Sequence, residues 1–460
     1  MRKKVWCLLL SVAMAATIWS GCSSPTTVAD ESQSETQSTV SEETVSTEAP
    51  SGESEVLVWF WVDGWLETMT EAFNEEYEGQ YHAIYEVVPQ NEIVTKFLTT
   101  SASGGRLPDA FFSSDDLRGK VLNLGVLEDL EQEPYNLDTS EIVDWVVDTC
   151  RDLDGVVRGL EIGPAPTTLA YNRNVAKQYL GTDDAEKVSE MLSDWDKVYE
   201  VGKKIHEESN GSVYISAGVP ELSVVMMAQV ETPRIVDNKI NLHEAYYNIF
   251  DRVAKWIDEG LIDATIEHYS PAYQAALGTD NYLLWSHAMW ASEWKFMTYA
   301  PDAQGVFGVL EAPPEGKWCD LGGTLMTVPS GAENKLGGYE YIWWTRDTVE
   351  GSTICRDNFG DIASIKACYE DESFHTSPQK YIDYFGEDVV ALFADNIDKV
   401  VPQTLSPYDD VIAVAGDNIN CDGVAVAFST LANGGSADEA ITAMEDELIR
   451  VYPELQREDS

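Results

Sequence analysis

The spacing of apolar residues at the start of the folded region predicts alternating strands and helices. Residues 56–61 form a short run that is apolar on both faces, as in a strand covered by helices in a parallel sheet. Residues 65–77 repeat apolar side chains at helical spacing, and residues 81–88 alternate as a second strand. Residues 91–103 form a second helix before a third strand at 107–112. This order predicts a doubly wound α/β layout.

Later segments also carry helix signals. Residues 194–207 begin at Asp194, a good helix cap, and residues 241–259 stop at Gly260. Residues 436–452 place apolar side chains on one face and form a closing helix.

Residues 159–173 connect two regions of alternating strands and helices. Pro164 and Pro166 fix backbone angles and remove amide donors, so the connection is extended and semi-rigid rather than helical. Residues 168–171 then resume as a strand, and Asn172 is placed to cap the element that follows. The pattern fits either a hinge between two lobes, with a binding cleft beside it, or an ordinary loop.

The chain begins with the features of a secreted protein. Three basic residues at positions 2–4 precede an apolar stretch that is too short for a comfortable membrane span. Residues 19–22 read Trp-Ser-Gly-Cys, which resembles the lipobox of bacterial lipoproteins. The resemblance implies a lipoprotein signal peptide over residues 1–22 and lipidation of Cys22, with palmitate among the acyl groups. Cleavage as an ordinary secretory signal is the alternative.

Residues 23–54 are rich in Ser, Thr and Glu and contain no Lys or Arg. They cannot bury enough apolar surface to offset chain entropy, so we expect a disordered tether. A lipid anchor followed by a polar tether places the folded region on the extracellular side of a cell membrane. Such a tether suits a Gram-positive bacterium.

The net charge of the protein excludes some classes of ligand. The 460 residues include 80 Asp and Glu against 29 Lys and Arg, which gives a formal net charge of −51. So acidic a surface repels nucleic acid and anionic lipid headgroups, whereas neutral and cationic ligands remain open. The length suits two lobes with separate cores. The 14 Trp and 21 Tyr supply rings that suit sugars as well as cores.

A series of short motifs, in order across residues 55–455, resembles family 1 extracellular solute-binding proteins, the receptors of ABC sugar importers. Each motif is weak by itself, and their order carries the resemblance. The motifs lie at residues 73–77, 84–88, 104–105, 108–110, 153–160, 169–175, 193–198, 322–331 and 339–344.

The resemblance implies an α/β fold of the two-lobed periplasmic-binding-protein type (type II), in which each lobe is a mostly parallel sheet flanked by helices and a hinge joins the two. Lobe 1 would span residues 55–163 and about 305–350, and lobe 2 residues 164–304 and about 351–460. It also implies a monomer that binds a carbohydrate, closes about its hinge and meets ABC permease subunits, with membrane contact through the lipid only. No cofactor, metal or enzymatic activity is expected.

Candidate ligand-binding residues lie at strand ends, at the crossing and on the Trp-rich segment 281–299. Carboxylates there accept hydrogen bonds from sugar hydroxyls, and indole rings stack on sugar faces. If residues 290–294 are helical, two indoles and a carboxylate share one face, although a buried core stripe is equally compatible with the spacing. The candidates are Trp61, Asp63, Trp65, Asp115, Asp116, Tyr171, Trp290, Glu293, Trp294, Asp320 with residues 322–323, and Arg356 with the residues up to 361.

The sequence also contains partial signals for a calcium site, for disulfides and for a glycoside hydrolase. Asp152 and Glu161 match part of a calcium-loop spacing, but Cys150 occupies the first ligand position, so residues 153–160 are expected to form a hairpin. Five cysteines remain beyond residue 22, an odd number, so at least one is unpaired. Paired carboxylates and tryptophans also describe glycoside hydrolases, but no signature of a hydrolase surrounds such a pair. A surface-anchored hydrolase and a binding protein for a non-sugar solute are therefore the alternatives.

Overall fold

The computed structural model describes residues 52–414 and 421–457. The predicted signal peptide, the lipidation site Cys22 and the tether up to residue 51 lie outside these residues. Within the described ranges, no helix combines the length and the apolar character that a membrane span requires.

The described residues form strands, helices and short irregular helical turns. The strands are β1 Ser54–Phe60, β2 Tyr81–Val87, β3 Ala110–Ser114, β4 Gly159–Ile162, β5 Pro166–Asn172, β6 Ser216–Ala217, β7 Ile235–Val236, β8 Lys239–Ile240, β9 Ile262–Asp263, β10 Leu284–Ala288, β11 Phe307–Val309, β12 Cys319–Asp320, β13 Thr324–Thr327 and β14 Gln456–Arg457. The α-helices are α1 Asp63–Glu76, α2 Ile93–Ser103, α3 Arg118–Leu122, α4 Asp144–Asp148, α5 Arg173–Val175, α6 Ala185–Met191, α7 Trp195–Glu208, α8 Pro220–Ala228, α9 Leu242–Asp258, α10 Pro271–Leu277, α11 Lys335–Asp347, α12 Val349–Phe359, α13 Gln379–Phe385, α14 Val389–Ala394, α15 Asp409–Ile412, α16 Asp422–Ala432 and α17 Ala437–Val451. Short 3₁₀ turns include Asp115–Leu117, and π-helical turns span Ala176–Leu180 and Ser292–Met297.

The first sheet has the strand order β2-β1-β3-β13-β4. Strand β1 pairs in parallel with β2 and β3, as the strand–helix pattern predicts, because α1 and α2 are the crossovers between them. Strand β13, far along the chain, enters antiparallel between β3 and β4. All five residues of β3 are buried, so this strand lies in the middle of the sheet.

The second sheet is built around β5 and is antiparallel rather than mostly parallel. Strands β10, β11 and β12 all pair with β5 in the antiparallel direction. The Leu284 amide donates to the Ile215 carbonyl at 2.8 Å, which joins β10 to the parallel pair β6 and β9. The chain reaches β5 directly from the first sheet and not through a helical crossover, so no βαβ unit sets its direction.

The division between the lobes also differs from the predicted boundaries. Strands β11 and β12 lie within residues 305–350, which the resemblance assigns to lobe 1, yet both pair with β5 in the second sheet. Strand β13, only four residues beyond β12, returns to the first sheet. Pairing between strands more than a hundred residues apart leaves no local signal in the sequence.

Two short crossings connect the sheets. Residues 163–165 join β4 to β5, and residues 321–323 join β12 to β13. The Leu321 amide donates to the Ala165 carbonyl at 3.2 Å, and the Ala165 amide donates to Asp320 Oδ1 at 3.0 Å. The predicted extended connection is therefore one of a hydrogen-bonded pair of crossings.

Each sheet is covered by helices with their own buried side chains. Helices α7, α9 and α17 bury one face against the second core, as their amphipathic patterns predict. Asp194 caps α7 by accepting from the Lys197 amide at 2.7 Å, and Ser436 and Glu439 form a capping box on α17.

The Trp-rich segment 281–299 comprises a strand and a helical turn. The first half is strand β10, all of whose residues are buried, and the π-helical turn Ser292–Met297 follows it. A short apolar run with buried neighbours on both faces has no decisive periodicity, so pairing with β5 decided its conformation.

Residues 153–160 form the predicted hairpin and not a calcium-binding loop. Asp152 accepts from the Asp154 and Val156 amides and from Arg158 Nε, at 2.9, 3.0 and 2.7 Å. Residues 151 and 157 form an antiparallel bridge across this turn. The five cysteines after residue 22 are all buried and free, at positions 150, 319, 355, 368 and 421.

We predict that Gly323→Ala destabilises the protein by about 3–5 kcal/mol, the range for breaking a buried ion pair. Gly323 has φ +78°, and a Cβ there would overlap the Glu161 carboxylate. Gly181→Ala is the matched control, because Gly181 has φ +79° with no atom near its missing Cβ, and should cost only about 1–2 kcal/mol. Urea unfolding of both variants measures the difference, and equal losses would contradict the prediction.

Candidate functional site

A cavity of about 420 Å³ lies where the two crossings meet the ends of the first-sheet strands. This volume falls in the range of small-molecule sites, about 300–1,000 Å³. The lining residues are Phe60, Trp61, Val62, Trp65, Gln90, Ser114, Asp115, Ile162, Gly163, Tyr269, Trp290, Trp294, Thr298, Tyr299, Gly322, Gly323, Thr324, Phe359 and Asp361.

One wall of the cavity comes from the carboxyl ends of β1 and β3. Trp61 follows β1, and Asp115 follows β3, so the sheet brings them to one edge, as is usual for ligand sites of open α/β sheets. Trp65, on the first turn of α1, packs edge-on against Phe60 with ring centroids 5.2 Å apart. This packing leaves Trp61 partly exposed over the cavity while Trp65 is buried behind it.

The opposite wall comes from the helical turn after β10. Trp290 Nε1 donates to the Leu321 carbonyl at 2.8 Å, which ties this wall to the second crossing. Trp294 lies one turn further on, since its amide donates to the Trp290 carbonyl at 3.1 Å. Trp294 is 40% exposed and stacks at one side on Phe359, with ring centroids 6.4 Å apart and an angle of 18°. A large, open indole surface therefore faces the cavity.

A buried polar cluster holds this aromatic wall in place. Lys295, in the same turn as Trp294, donates to Glu221 on α8, and both side chains are almost completely buried. Glu221 also accepts from Tyr273 Oη at 2.7 Å and lies 3.1 Å from His268 Nε2. Burial opposes ionisation of Glu221, but Lys295 and His268 outweigh it and lower the pKa of that carboxyl below its usual range. This cluster has no local signal in the sequence, because Glu221 and Lys295 are 74 residues apart.

A second cluster lies at the crossings. Arg118, only 2% exposed, donates to Glu161 Oε1 at 2.8 Å and to the Gly322 carbonyl at 3.1 Å, and lies 3.6 Å from Asp320. Glu161 belongs to β4 of the first sheet and Asp320 to β12 of the second. Burial, together with the nearby Glu161, raises the pKa of Asp320, and Arg118 opposes that shift. One guanidinium thus links both lobes beside the cavity.

Asp361 brings a second carboxyl group to the cavity. It follows α12, and its nearest basic partner is the fully buried Arg346, with Nη1 at 3.9 Å. Burial raises the pKa of Asp361 to about 6, Glu293 adds repulsion, and Arg346 acts in the opposite direction. Residues 356–361 were candidates from the sequence, and the structure places the end of that range in the cavity and its start elsewhere.

The structure brings five of the predicted site residues to the cavity lining, namely Trp61, Trp65, Asp115, Trp290 and Trp294. Residues 322 and 323 also line it. That these residues bind ligand remains a prediction.

Six other predicted site residues do not line the cavity. Asp63 is exposed at the start of α1, and Asp116 is buried and accepts from Ser114 Oγ. Tyr171 is buried and donates to the Asp183 carbonyl at 2.7 Å, because its strand lies at the centre of the second sheet. Asp320 belongs to the Arg118 cluster.

Glu293 and Arg356 have other partners. Glu293 accepts from Tyr381 Oη at 2.7 Å and pairs with Lys380 at 2.8 Å, so the π-helical turn directs it away from the indoles on either side. Arg356 pairs with Asp357 and donates to Ser373 Oγ at 2.8 Å in a separate surface depression.

Several lining residues were not predicted from the sequence. They come from loops and helix ends that fold back from distant positions, and their spacing carries no signal. Thr298 and Tyr299 lie within the Trp-rich segment 281–299, and Phe359 and Asp361 lie within residues 356–361, both of which the sequence had singled out as candidate regions. Lining residues outside every range that the sequence singled out include Gln90, Ser114 and Tyr269.

No protein-family model and no curated protein matches the sequence. Solved structures do match. An extracellular solute-binding protein of family 1 aligns with 18% identity and a TM-score of 0.75, over 86% of this chain and 99% of that one. The ABC transporter associated binding protein from B. animalis subsp. lactis, in complex with β-1,6-galactobiose, aligns with 18% identity and a TM-score of 0.68, over 88% and 99%.

A third match is the galacto-N-biose/lacto-N-biose I-binding protein of an ABC transporter from Bifidobacterium longum, in complex with lacto-N-biose. It aligns with 15% identity and a TM-score of 0.68, over 89% of this chain and 100% of that one. The chain therefore has a two-lobed α/β fold. More narrowly, it is the fold of family 1 extracellular solute-binding proteins, as the sequence motifs predicted.

We predict that the Asp361→Asn variant gains stability relative to the wild type as the pH rises. The pKa of Asp361 is about 6 in the folded chain and, unfolded, near 3.9. Protonation therefore favours the folded state: this contribution is complete below about pH 4 and is lost as the pH rises through 6. Urea unfolding between pH 4 and 7.5 should show the variant's free energy of unfolding, minus that of the wild type, rising by about 1–3 kcal/mol. A difference independent of pH would show that Asp361 is not desolvated.

Proposed function

We propose that this protein is the substrate-binding component of an ABC importer, which captures a carbohydrate in the cavity between its lobes and delivers it to a membrane permease. The observation that carries the proposal is the combination of aromatic rings and carboxyl groups in the lining of one cavity. Trp61, Trp290 and Trp294 supply flat apolar surface, and Asp115 and Asp361 supply hydrogen-bond acceptors.

A sugar ring has the matching two-sided chemistry. Its C–H faces are apolar and stack on indole, while its hydroxyl groups lie around the edge and donate to carboxyl oxygens. Gln90, Ser114 and Thr324 add uncharged polar groups on the same side as the carboxyls. A peptide or a metal ion would make little use of so many rings. The solved structures with this fold support the choice, since two of those described above hold disaccharides.

Capture works through closure of the lobes. A ligand that touches both walls is bound more tightly when they approach each other, so binding shifts the population toward the closed form. The two crossings are the only backbone links that join the sheets between residues 159 and 327 within the described chain, and rotation there moves one wall toward the other. Proton transfer and a nucleophile are not required, and the protein is not an enzyme.

Delivery would take place at the extracellular side of the membrane. The lipidated Cys22 and the polar tether would hold the monomeric receptor near the permease subunits, and the lipid would be its only membrane contact.

We expect a saturable change in tryptophan fluorescence when the full-length protein is titrated with neutral oligosaccharides. The panel includes β-1,6-galactobiose, lacto-N-biose, maltose and cellobiose, and each mixture is analysed by chromatography for cleavage products. A saturable change in fluorescence, with the sugar recovered intact, would support the function of a sugar receptor. Release of monosaccharide would show that the protein is a glycoside hydrolase instead of a receptor. If no sugar changes the fluorescence, a carbohydrate ligand is rejected.

Trp294→Ala should weaken the binding of a responsive sugar at least about tenfold, because the open stacking surface is lost. Trp343→Ala is the control, since Trp343 is also partly exposed but lies on α11 outside the cavity lining. Isothermal titration calorimetry measures both. Equal effects of the two substitutions would mean that the cavity is not the sugar site.

Cys22→Ala should release the protein from the membrane fraction into the medium and abolish incorporation of labelled palmitate. Fractionation of cells that express either form checks this. Retention of the variant on the membrane would mean that the anchor is not a lipid on Cys22.

A further inference from the structure

The cavity carries charge of one sign only. Its described lining includes the carboxyl groups of Asp115 and Asp361 and no Lys, Arg or His. We propose that these two carboxyls set the specificity of the cavity by excluding solutes with a negative charge, so that the ligand is a neutral or an amine-bearing sugar. That the ligand is a sugar rests on the proposed function, whereas the sign of the charge rests on the lining alone.

Both carboxyls are fixed on the first-lobe wall. Asp115 opens the short turn that follows the buried strand β3, so its backbone is anchored in the middle of the first sheet. Asp361 follows α12, and its side chain is 11% exposed. It packs beside Gly163 of the first crossing, where a Cβ would lie 3.4 Å from Asp361 Oδ1. Neither group is on a long loop that could turn away from an approaching anion.

Basic side chains behind the cavity walls already have carboxylate partners and do not reach the lining. The pairs are Arg118 with Glu161, Lys295 with Glu221, and Lys380 with Glu293. Arg346 is completely buried, and its nearest acidic group is Asp361 itself. An anionic solute would therefore lose hydration and approach the Asp115 and Asp361 carboxyls, the second of which Arg346 offsets in part at 3.9 Å. It would gain no cationic partner on the lining.

The aromatic side chains of the cavity favour a ligand with a positive charge. Ring faces attract ammonium groups, and Tyr269, Trp290, Trp294 and Tyr299 line the same cavity as the two carboxyls. An amine on the sugar would find both a carboxyl and a ring within one site. Neutral sugars are admitted because their hydroxyl groups donate to the carboxyl oxygens.

Fluorescence quenching tests the sign of the charge without any sugar. The Trp294 signal of the full-length protein is the difference between the wild type and Trp294→Phe, recorded with iodide, caesium ion and acrylamide at constant ionic strength. We expect iodide to quench this signal at least about threefold less effectively than caesium ion does. In the double variant Asp115→Asn and Asp361→Asn, iodide quenching should rise about two- to threefold while acrylamide quenching stays the same.

A charge-matched control separates the cavity from the general acidity of the protein. The double variant Asp258→Asn and Asp302→Asn removes the same two charges from exposed positions outside the lining and should leave iodide quenching unchanged. Thermal melts confirm that each variant folds. An increase of equal size in both double variants, or in neither, would overturn the proposal.

Sugar analogues test the consequence for specificity. Maltose, cellobiose and β-1,6-galactobiose are compared by calorimetry with their derivatives that carry a carboxylate at C6. The neutral form should bind the wild type at least about tenfold more tightly, and the cavity double variant should reduce that ratio severalfold. A carboxylate derivative that binds as tightly as its neutral parent would overturn the charge exclusion and leave sugar binding intact. If no sugar binds but iodide quenching behaves as expected, a sugar is rejected as the ligand and the charge exclusion still holds.

Discussion

The arrangement of this protein depends on a guanidinium buried where two sheets meet. A buried arginine is tolerated only with good partners, and Arg118 takes Glu161 from the first sheet and Asp320 from the second. The Gly322 carbonyl is a third partner, so the second crossing must approach closely. Because Gly323 lies against the same carboxylate with φ +78°, only glycine fits there. Charge pairing and backbone freedom together define how the crossings run.

The cavity is a consequence of this junction. The crossings place the ends of β1 and β3 opposite the turn that follows β10, and Trp290 is hydrogen-bonded to the second crossing itself. A second buried pair, Lys295 with Glu221, secures the same turn from behind. The aromatic rings of the cavity lining are thus attached to the two crossings between the sheets. In the proposed function, closure and recognition would share one set of contacts.

The fold was largely predictable because its signals are local or ordered along the chain. The run at residues 56–61, the helix cap at Asp194, the closing helix and the proline-rich crossing all appear where the sequence indicated. The pairing of distant strands could not be predicted in this way. Strands β11 and β12 joined the second sheet because partners more than a hundred residues away decided their pairing.

The sequence by itself determined the α/β layout, the net negative charge and the strand-end positions of Trp61 and Asp115, since these follow from composition and short-range periodicity, whereas the two-lobed class was implied by the resemblance of its ordered motifs. Only the tertiary structure decided which side chains share the cavity. Asp361 entered it, whereas Glu293, one residue from Trp294, turned to Tyr381 and Lys380. The reason is physical: side-chain direction depends on the local helical twist and on partners from remote segments, and neither is encoded in spacing along the chain.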